Sequence, residues 1–116
     1  MITSIAFTVY PVTDMPRARR FYEGDLGFRV ETNVREEWIE YDIAGATFAI
    51  TTMMEKGVPG KGAEIAFEVE DLDIFIEHLK QHNVPFVREV FPTPVCRLAV
   101  IADPDGNNII IHKRHS

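Results

Sequence analysis

The stretch R-L-A-V-I-A-D-P-D-G-N-N-I-I, from Arg97 to Ile110, holds two apolar, largely β-branched runs separated by a cluster of turn-forming residues. Asp103-Pro104 is typical of the start of a tight turn, and Asp105-Gly106 supplies a position at which the backbone can take a positive φ. The stretch therefore predicts a β-hairpin, with its first strand over 95–102 and its second over 108–113.

Working outward from this hairpin, each half of the chain shows a strand followed by an amphipathic helix with an aspartate at its start. Asp14 precedes the first helix and Asp71 the second, and aspartate is a favoured N-terminal cap. The other strands are predicted over 3–10, 28–33, 37–43, 47–52, 64–69 and 86–90. The order predicts an α+β fold of two β-α-β-β-β modules, about 1–54 and about 62–116, within one domain over 1–116.

The composition narrows the classes of function. The chain has 116 residues and a formal net charge of −6, which disfavours a nucleic-acid or anionic-membrane partner, because both require a basic patch. Neither an apolar run of about 18 residues nor the pattern of a signal peptide is found. Cys96 is the single cysteine, so an internal disulfide is excluded and a cytoplasmic location is expected.

Three motifs together resemble the vicinal-oxygen-chelate superfamily, which includes glyoxalase I, bleomycin-resistance proteins and extradiol dioxygenases. The residues that carry the resemblance are Asp14-Met15 with Arg19-Arg20-Phe21-Tyr22 and Leu26-Gly27-Phe28, then Phe67-Glu68-Val69-Glu70-Asp71-Leu72, and then Asp103-Pro104-Asp105-Gly106-Asn107. The resemblance implies that the two modules pair into a curved eight-stranded sheet around a cleft, and that the protein is a homodimer.

Enzymes of that superfamily hold a divalent metal on four strands, where it acts as a Lewis acid on neighbouring oxygens. The resemblance places the four positions at Phe7, Ala49, Glu64 and Ile110. Alignment on the short repeat Ile-Ala-Phe, found at 5–7 and 65–67, would instead move the first position to Ser4. Only Glu64 is a competent ligand, and a useful site needs three or more. No metal cofactor is therefore expected.

Three functions follow as hypotheses. The first is a small-molecule binding protein of the bleomycin-resistance type, with a largely apolar cleft and no metal. The second is an enzyme: a metal-dependent lyase, isomerase or dioxygenase with the atypical ligands Glu64, Thr51 and His112, or a metal-free enzyme with Glu64 as the base. The third is a structural module with a vestigial cleft.

Four polar residues are candidates for the cleft. Glu64 and Glu68 share one face of a strand, because strand side chains alternate, and either is a carboxylate for ligand binding or part of a solvated face. His112 shares a face with Ile110, so it is either a proton carrier or a surface histidine. Arg97 either clamps an anionic group or forms a surface salt bridge.

The apolar candidates are Phe7 and Trp38, which would form a wall for a planar ligand if they are not ordinary core residues. Ala49 and Thr51 would lie beside them. Cys96 is expected to be a buried, inert thiol. The glycine-rich segment over 53–62 is read either as a linker or as a lid.

Overall fold

The chain forms two consecutive modules with the same order of elements. A computed structural model describes residues 1, 3–53, 60–62 and 64–115. The chain divides into two compact units, Met1–Gly62 and Ala63–Ser116, called here module one and module two. Each has one strand, a helix and three further strands, so the predicted α+β class with two β-α-β-β-β modules is confirmed.

Module one builds a four-stranded sheet in the order β1-β4-β3-β2. Strand β1 runs parallel to β4, and the other pairs are antiparallel. Its elements are β1 (Thr8–Pro11), α1 (Met15–Arg19, continuing as a π-helix over Arg20–Asp25), β2 (Val30–Val34), β3 (Trp38–Ile43) and β4 (Ala46–Thr51).

Module two builds the equivalent sheet, in the order β5-β8-β7-β6. Here β5 is parallel to β8, and the remaining pairs are antiparallel. Its elements are β5 (Ile65–Glu68), α2 (Leu72–Gln81), β6 (Phe86–Pro92), β7 (Cys96–Ala102) and β8 (Asn108–Arg114).

Both helices begin at the predicted aspartates. The Asp14 carboxylate accepts a hydrogen bond from the backbone N–H of Arg17 at 3.0 Å, and the Asp71 carboxylate accepts one from Ile74 at 3.1 Å. Each bond satisfies a backbone donor that the first helical turn leaves without a partner. The π-helix that extends α1 was not predicted, and its wider turn is closed by the hydrogen bond from the Leu26 N–H to the Phe21 carbonyl at 3.0 Å.

The helix-covered faces of the two sheets are packed with different side chains. In module one they are aromatic: Tyr22 lies 5.3 Å from Phe48 and 6.1 Å from Tyr41, measured between ring centroids. In module two they are mostly aliphatic, and the buried residues include Leu72, Ile76, Leu79, Ile101, Ile109 and Ile111. Burial of these apolar side chains is the main force that holds each helix on its sheet.

The predicted hairpin between β7 and β8 is confirmed, and a second hairpin joins β3 to β4. Ala44 and Gly45 form a two-residue turn between β3 and β4 with φ values of 51° and 93°, as a primed turn requires. Between β7 and β8, Gly106 has a φ of 84°. There the buried Asp103 carboxylate accepts hydrogen bonds from the N–H groups of Asp105 and Asn107, both at 2.9 Å, and from the Asn107 amide at 2.8 Å.

The first predicted strand is too long at its N-terminal end. Strand β1 begins at Thr8, and Thr3 to Phe7 lie outside it, with Ile5 82% exposed. The parallel pairing with β4 begins only where Thr8 faces Phe48.

Of the helices described, none has the length and apolar character needed to span a bilayer. The loop predicted over 53–62 falls mostly on 54–59, which lie outside the described residues.

Candidate functional site

Most of the predicted site residues lie on one side of each sheet. We call the face that points away from a module's own helix its distal face. Because strand side chains alternate, the residues between the buried core positions belong to it. In module one Pro11, Thr51 and Trp38 stand side by side across three strands on this face.

The distal face of module one carries an aromatic pair. The rings of Phe7 and Trp38 meet edge to face, with centroids 5.3 Å apart and planes at 89°. Phe7 remains 43% exposed, and Trp38 is half-buried. The Trp38 indole N–H donates to a Glu40 carboxylate oxygen at 2.8 Å. The pair therefore presents a rigid apolar surface with a carboxylate at its margin.

Ala49 and Thr51 lie on the same face, and both are fully buried. The Thr51 hydroxyl donates to the Glu37 carbonyl at 2.8 Å and accepts from the Met53 N–H at 3.0 Å. Since both bonds go to backbone groups, this hydroxyl serves to join β4 to the turn before β3. It is therefore engaged in structure and is a poor candidate for a metal ligand.

The distal face of module two carries a carboxylate and an imidazole in contact, Glu68 and His112, in place of the aromatic pair. Glu68 pairs in register with His112, which pairs in turn with Leu98. One carboxylate oxygen of Glu68 lies 2.5 Å from His112 Nδ1, and the other accepts from the Arg114 backbone N–H at 2.8 Å. The Arg114 N–H and the bond to His112 lower the pKa of the Glu68 carboxyl below its usual range.

Half-buried apolar side chains surround this pair. Ile110 and Leu98 lie on the same face as His112, as the predicted alternation requires for Ile110. Glu64 is exposed and lies just before β5. The structure joins Glu68 to His112, and the role of Glu64 as a cleft carboxylate stays a prediction.

Arg97 lies on the opposite side of the same sheet. Its guanidinium Nη2 donates to the Asp73 carboxylate at 2.9 Å, in the first turn of α2. Arg97 therefore lies on the helix side of β7, and the predicted clamp facing the cleft is wrong. The alternative, a surface salt bridge, is what the structure shows. This bond lowers the pKa of Asp73 and raises that of Arg97.

Cys96 is buried, as expected, with 4% of its surface exposed. Its Sγ lies 3.0 Å from the Thr93 hydroxyl. That hydroxyl also accepts from the N–H groups of Val95 and Cys96, at 3.2 and 3.1 Å, in the turn that leads into β7.

Counting back from the capping aspartate in each module decides whether Phe7 or Ser4 is equivalent to Glu64, which the sequence left open. Pro11 stands three residues before the capping Asp14, and Glu68 stands three residues before Asp71; both are the last residues of their strands. Counted in this way, Phe7 is equivalent to Glu64, and Ser4 is not. The Ile-Ala-Phe repeat is three residues out of structural register.

The residues at the superfamily's metal-binding positions do not fit a metal ion. Module one supplies Phe7 and Ala49, which have no donor atom in the side chain, and module two supplies Glu64 and Ile110, of which only the carboxylate is a donor. Among the described residues, no group of three His, Cys, Asp or Glu side chains is placed to hold a metal.

A groove on module one, which the sequence did not predict, has a volume of about 720 Å³. It is lined by Pro16, Arg19, Arg20, Glu23, Gly24 and Glu36. Arg19 binds Glu23 at 2.6 Å and Glu36 at 2.8 Å, and the bond to Glu23 raises the pKa of Arg19. The two arginines and two glutamates give the lining a formal net charge of zero.

The same network reaches the core of module one through Tyr41. The Tyr41 hydroxyl donates to Glu23 at 2.9 Å, and burial, together with this bond, raises the pKa of the phenol. The spacing of Arg19 and Glu23, four residues apart on a helix, is the sequence signal that could have revealed this network. Glu40 was also missed, although the alternation W-I-E places it beside Trp38.

Comparison with known proteins supports the same fold. Among the curated proteins, none matches the chain. A family model described as the Glyoxalase/Bleomycin resistance protein/Dioxygenase superfamily matches residues 4–111.

Three solved structures illustrate the range of proteins with this fold. TnmS3, an antibiotic binding protein from Streptomyces sp. CB03234, has a TM-score of 0.84 and 24% identity, with 98% of each chain covered. A lactoylglutathione lyase from Agrobacterium tumefaciens has a TM-score of 0.79 and 14% identity, over 97% of this chain and 94% of that one. A glyoxalase/bleomycin resistance protein/dioxygenase from Alicyclobacillus acidocaldarius has a TM-score of 0.77 and 17% identity, over 97% and 92%.

At these identities the solved structures establish the fold alone, since this fold serves both binding proteins and enzymes. The family model spans nearly the whole chain and carries the assignment. The chain therefore belongs to the glyoxalase/bleomycin resistance protein/dioxygenase superfamily.

Proposed function

We propose that the protein binds a small, largely apolar organic molecule without a metal ion. The observation that carries the proposal is the Phe7 and Trp38 pair on the distal face of module one, where two rings meet edge to face and leave Phe7 43% exposed. Exposed aromatic surface of this kind is typical of sites for planar ligands, because stacking and the removal of apolar area from water both favour binding.

The residue types at the metal-binding positions support binding rather than metal chemistry. Phe7 and Ala49 replace donors by apolar groups, and Ile110 does the same in module two. The fold is also that of TnmS3, an antibiotic binding protein, which supports small-molecule binding. It does not identify the ligand of this chain.

A thermal-shift screen of planar aromatic compounds, carried out with a chelator present, tests the proposal. A ligand at one hundred times its Kd stabilises a folded protein by about 2.7 kcal/mol, which is on the order of ten degrees in Tm for a chain of this size. Trp38 is the single tryptophan, so its fluorescence can then be titrated to obtain the Kd.

Phe7→Ala is expected to weaken binding about tenfold, because it removes half of the aromatic surface. Phe75→Leu is the matched control, since Phe75 stacks on His78 of α2, on the helix side of module two. A screen without any shift, or binding that appears only when a divalent metal is added, would contradict the proposal. The second result would favour the alternative, a metal-dependent lyase, isomerase or dioxygenase.

We also propose a homodimer in the cytoplasm. The edge strand β2 exposes Val30 and Val34, and the exposed Ile5 precedes the other edge strand, β1; apolar edges of this kind gain stability when a second chain covers them. A reduced cytoplasmic setting suits the single buried cysteine. Size-exclusion chromatography with light scattering is expected to give twice the mass of the chain, and a monomer at micromolar concentration would refute the dimer.

A further inference from the structure

The ring of His112 is held in one orientation by the carboxylate of Glu68. Its Nδ1 lies 2.5 Å from one carboxylate oxygen, and Arg114 fixes the other oxygen through its backbone N–H at 2.8 Å. A carboxylate bound to Nδ1 selects the tautomer in which Nδ1 carries the proton. The ring's second nitrogen, Nε2, then has a lone pair available and is a hydrogen-bond acceptor.

Within the part of the chain that the structure describes, Nε2 has no hydrogen-bond partner. The His112 side chain keeps 21% of its surface exposed, so this nitrogen is accessible. Its neighbours across the sheet are Leu98 on β7 and, two residues before it on β8, Ile110, both half-buried. An acceptor beside apolar side chains fits a ligand with an apolar body and one hydroxyl donor.

We propose that His112, positioned by Glu68, is an acid–base group that recognises the acidic hydroxyl of a phenol or enol. The inference rests on the proposed function and names the class of ligand. The hydroxyl donates to Nε2. For an acidic hydroxyl the proton transfers: the O–H bond breaks, the Nε2–H bond forms, and a phenolate or enolate is left beside an imidazolium whose charge Glu68 balances.

Among the described residues of β8, the other charged groups near this pair are Lys113 and Arg114, and Arg114 shares the distal face with His112 because strand side chains alternate. Lys113 follows His112 on β8, and its charge favours the ionised carboxylate of Glu68; Arg114 contributes its backbone N–H. Leu98 faces His112 from β7 and carries no charge.

The positioning role of Glu68 is tested without any ligand. In nitrogen-15 NMR spectra recorded above neutral pH, His112 is expected to show a protonated Nδ1 and a bare Nε2. Glu68→Leu is expected to abolish this preference. Glu68→Gln retains an acceptor oxygen and is expected to keep the preference, so it controls for the loss of charge. A protonated Nε2 in the wild-type protein, or an unchanged tautomer in Glu68→Leu, would overturn the proposal; the wild-type spectrum decides the first point even if Glu68→Leu does not fold.

The ligand class is tested with 4-nitrophenol and its methyl ether, 4-nitroanisole. The two compounds share a body, and only the phenol has a proton to give. The wild-type protein is expected to bind the phenol at least tenfold more tightly and to shift its absorption toward that of the phenolate. His112→Gln should remove both effects, and His115→Gln, a change in the exposed tail, should leave them intact.

The outcomes separate the two proposals. Equal affinity for the phenol and the ether overturns the role of His112 and leaves small-molecule binding intact. If neither compound binds, the hydroxyl recognition proposed here is overturned; the proposed function falls with it only if the wider aromatic screen also gives no shift. Tenfold discrimination that survives His112→Gln also overturns the assignment to His112.

Discussion

The distal faces of the two modules occupy equivalent positions and carry opposite chemistry. Where module one has Pro11, Thr51 and Trp38 side by side, module two has Glu68, His112 and Leu98. The first set contains no ionisable side chain, and the second contains a carboxylate and a histidine that contact each other. The helix cap, the strand order and the sheet register are shared. The backbone frame therefore does not determine what the distal face can bind.

The short repeat Ile-Ala-Phe shows how misleading local similarity can be within this frame. Its two copies are offset by three residues relative to the structural register, and three is an odd number on a strand whose side chains alternate. Phe7 therefore lies on the distal face of module one, whereas Phe67 points to the helix side of module two. The same residue type in the two copies of the repeat therefore lies on opposite faces of the two sheets.

The largest effect should come from the helix-covered faces, which are aromatic in module one and aliphatic in module two. Phe48→Ala is expected to cost about 3–5 kcal/mol, and Ile109→Ala about 2–5 kcal/mol, because the larger ring leaves the larger cavity. Urea denaturation measures both. Ile74→Ala, at an exposed position of α2, is the control and should change stability by less than about 0.5 kcal/mol. A cost for Ile109→Ala that exceeds that of Phe48→Ala would break the contrast between the two cores.

A middle-sized effect should separate the two equivalent hairpins. Asp103→Ala removes a buried carboxylate that accepts three hydrogen bonds in the β7–β8 turn, and should cost about 1–3 kcal/mol. Asp42→Ala removes an exposed carboxylate that accepts from the Gly45 N–H in the β3–β4 turn, and should cost less than about 1 kcal/mol. Equal changes in Tm for the two variants would show that the hairpins do not differ as described.

The smallest effect concerns acid stability and involves module two alone. The pKa of Glu68 is held below its usual range in the folded chain, so the unfolded chain takes up this proton at a higher pH. The stability that Glu68 contributes is therefore present above the unfolded pKa of about 4.3 and is lost as the pH falls through the lower folded pKa. Pro11, at the equivalent position of module one, does not titrate.

Denaturation curves between neutral pH and strong acid test this contribution. Glu68→Gln should flatten the fall in stability below about pH 4.3, and Glu64→Gln, just before the same strand, serves as the control. Part of the acid dependence should remain, because the carboxyls of Glu36 and Asp73 also have lowered pKa values. An acid limb that is the same in the wild-type protein and in Glu68→Gln would show that the contacts to His112 and Arg114 do not persist in solution.

The features predicted correctly from the sequence are those with local causes. The caps at Asp14 and Asp71 and the turn at Asp105-Gly106 depend on a few adjacent residues, and each lies where predicted. The alternation that places His112 with Ile110 is equally local.

The features that escaped prediction depend on residues that are distant in the sequence or on a geometry without a local signature. Arg97 is drawn to the helix side by Asp73, which lies 24 residues away. Glu68 meets His112 only because β5 pairs with β8 in parallel across 44 residues. The π-helix after α1 has no residue pattern that announces it.

Thiol labelling of Cys96 can report local opening of module two. Its thiol is the single one in the chain, is 4% exposed, and sits against the Thr93 hydroxyl at the entry to β7. A thiol-modifying reagent reaches this sulfur only when the start of β7 opens locally. The rate of labelling therefore depends on local opening and not on the reactivity of an exposed thiol. A ligand that binds beside β7 and β8 would slow the labelling of Cys96. Binding could then be followed without a spectroscopic signal from the ligand itself.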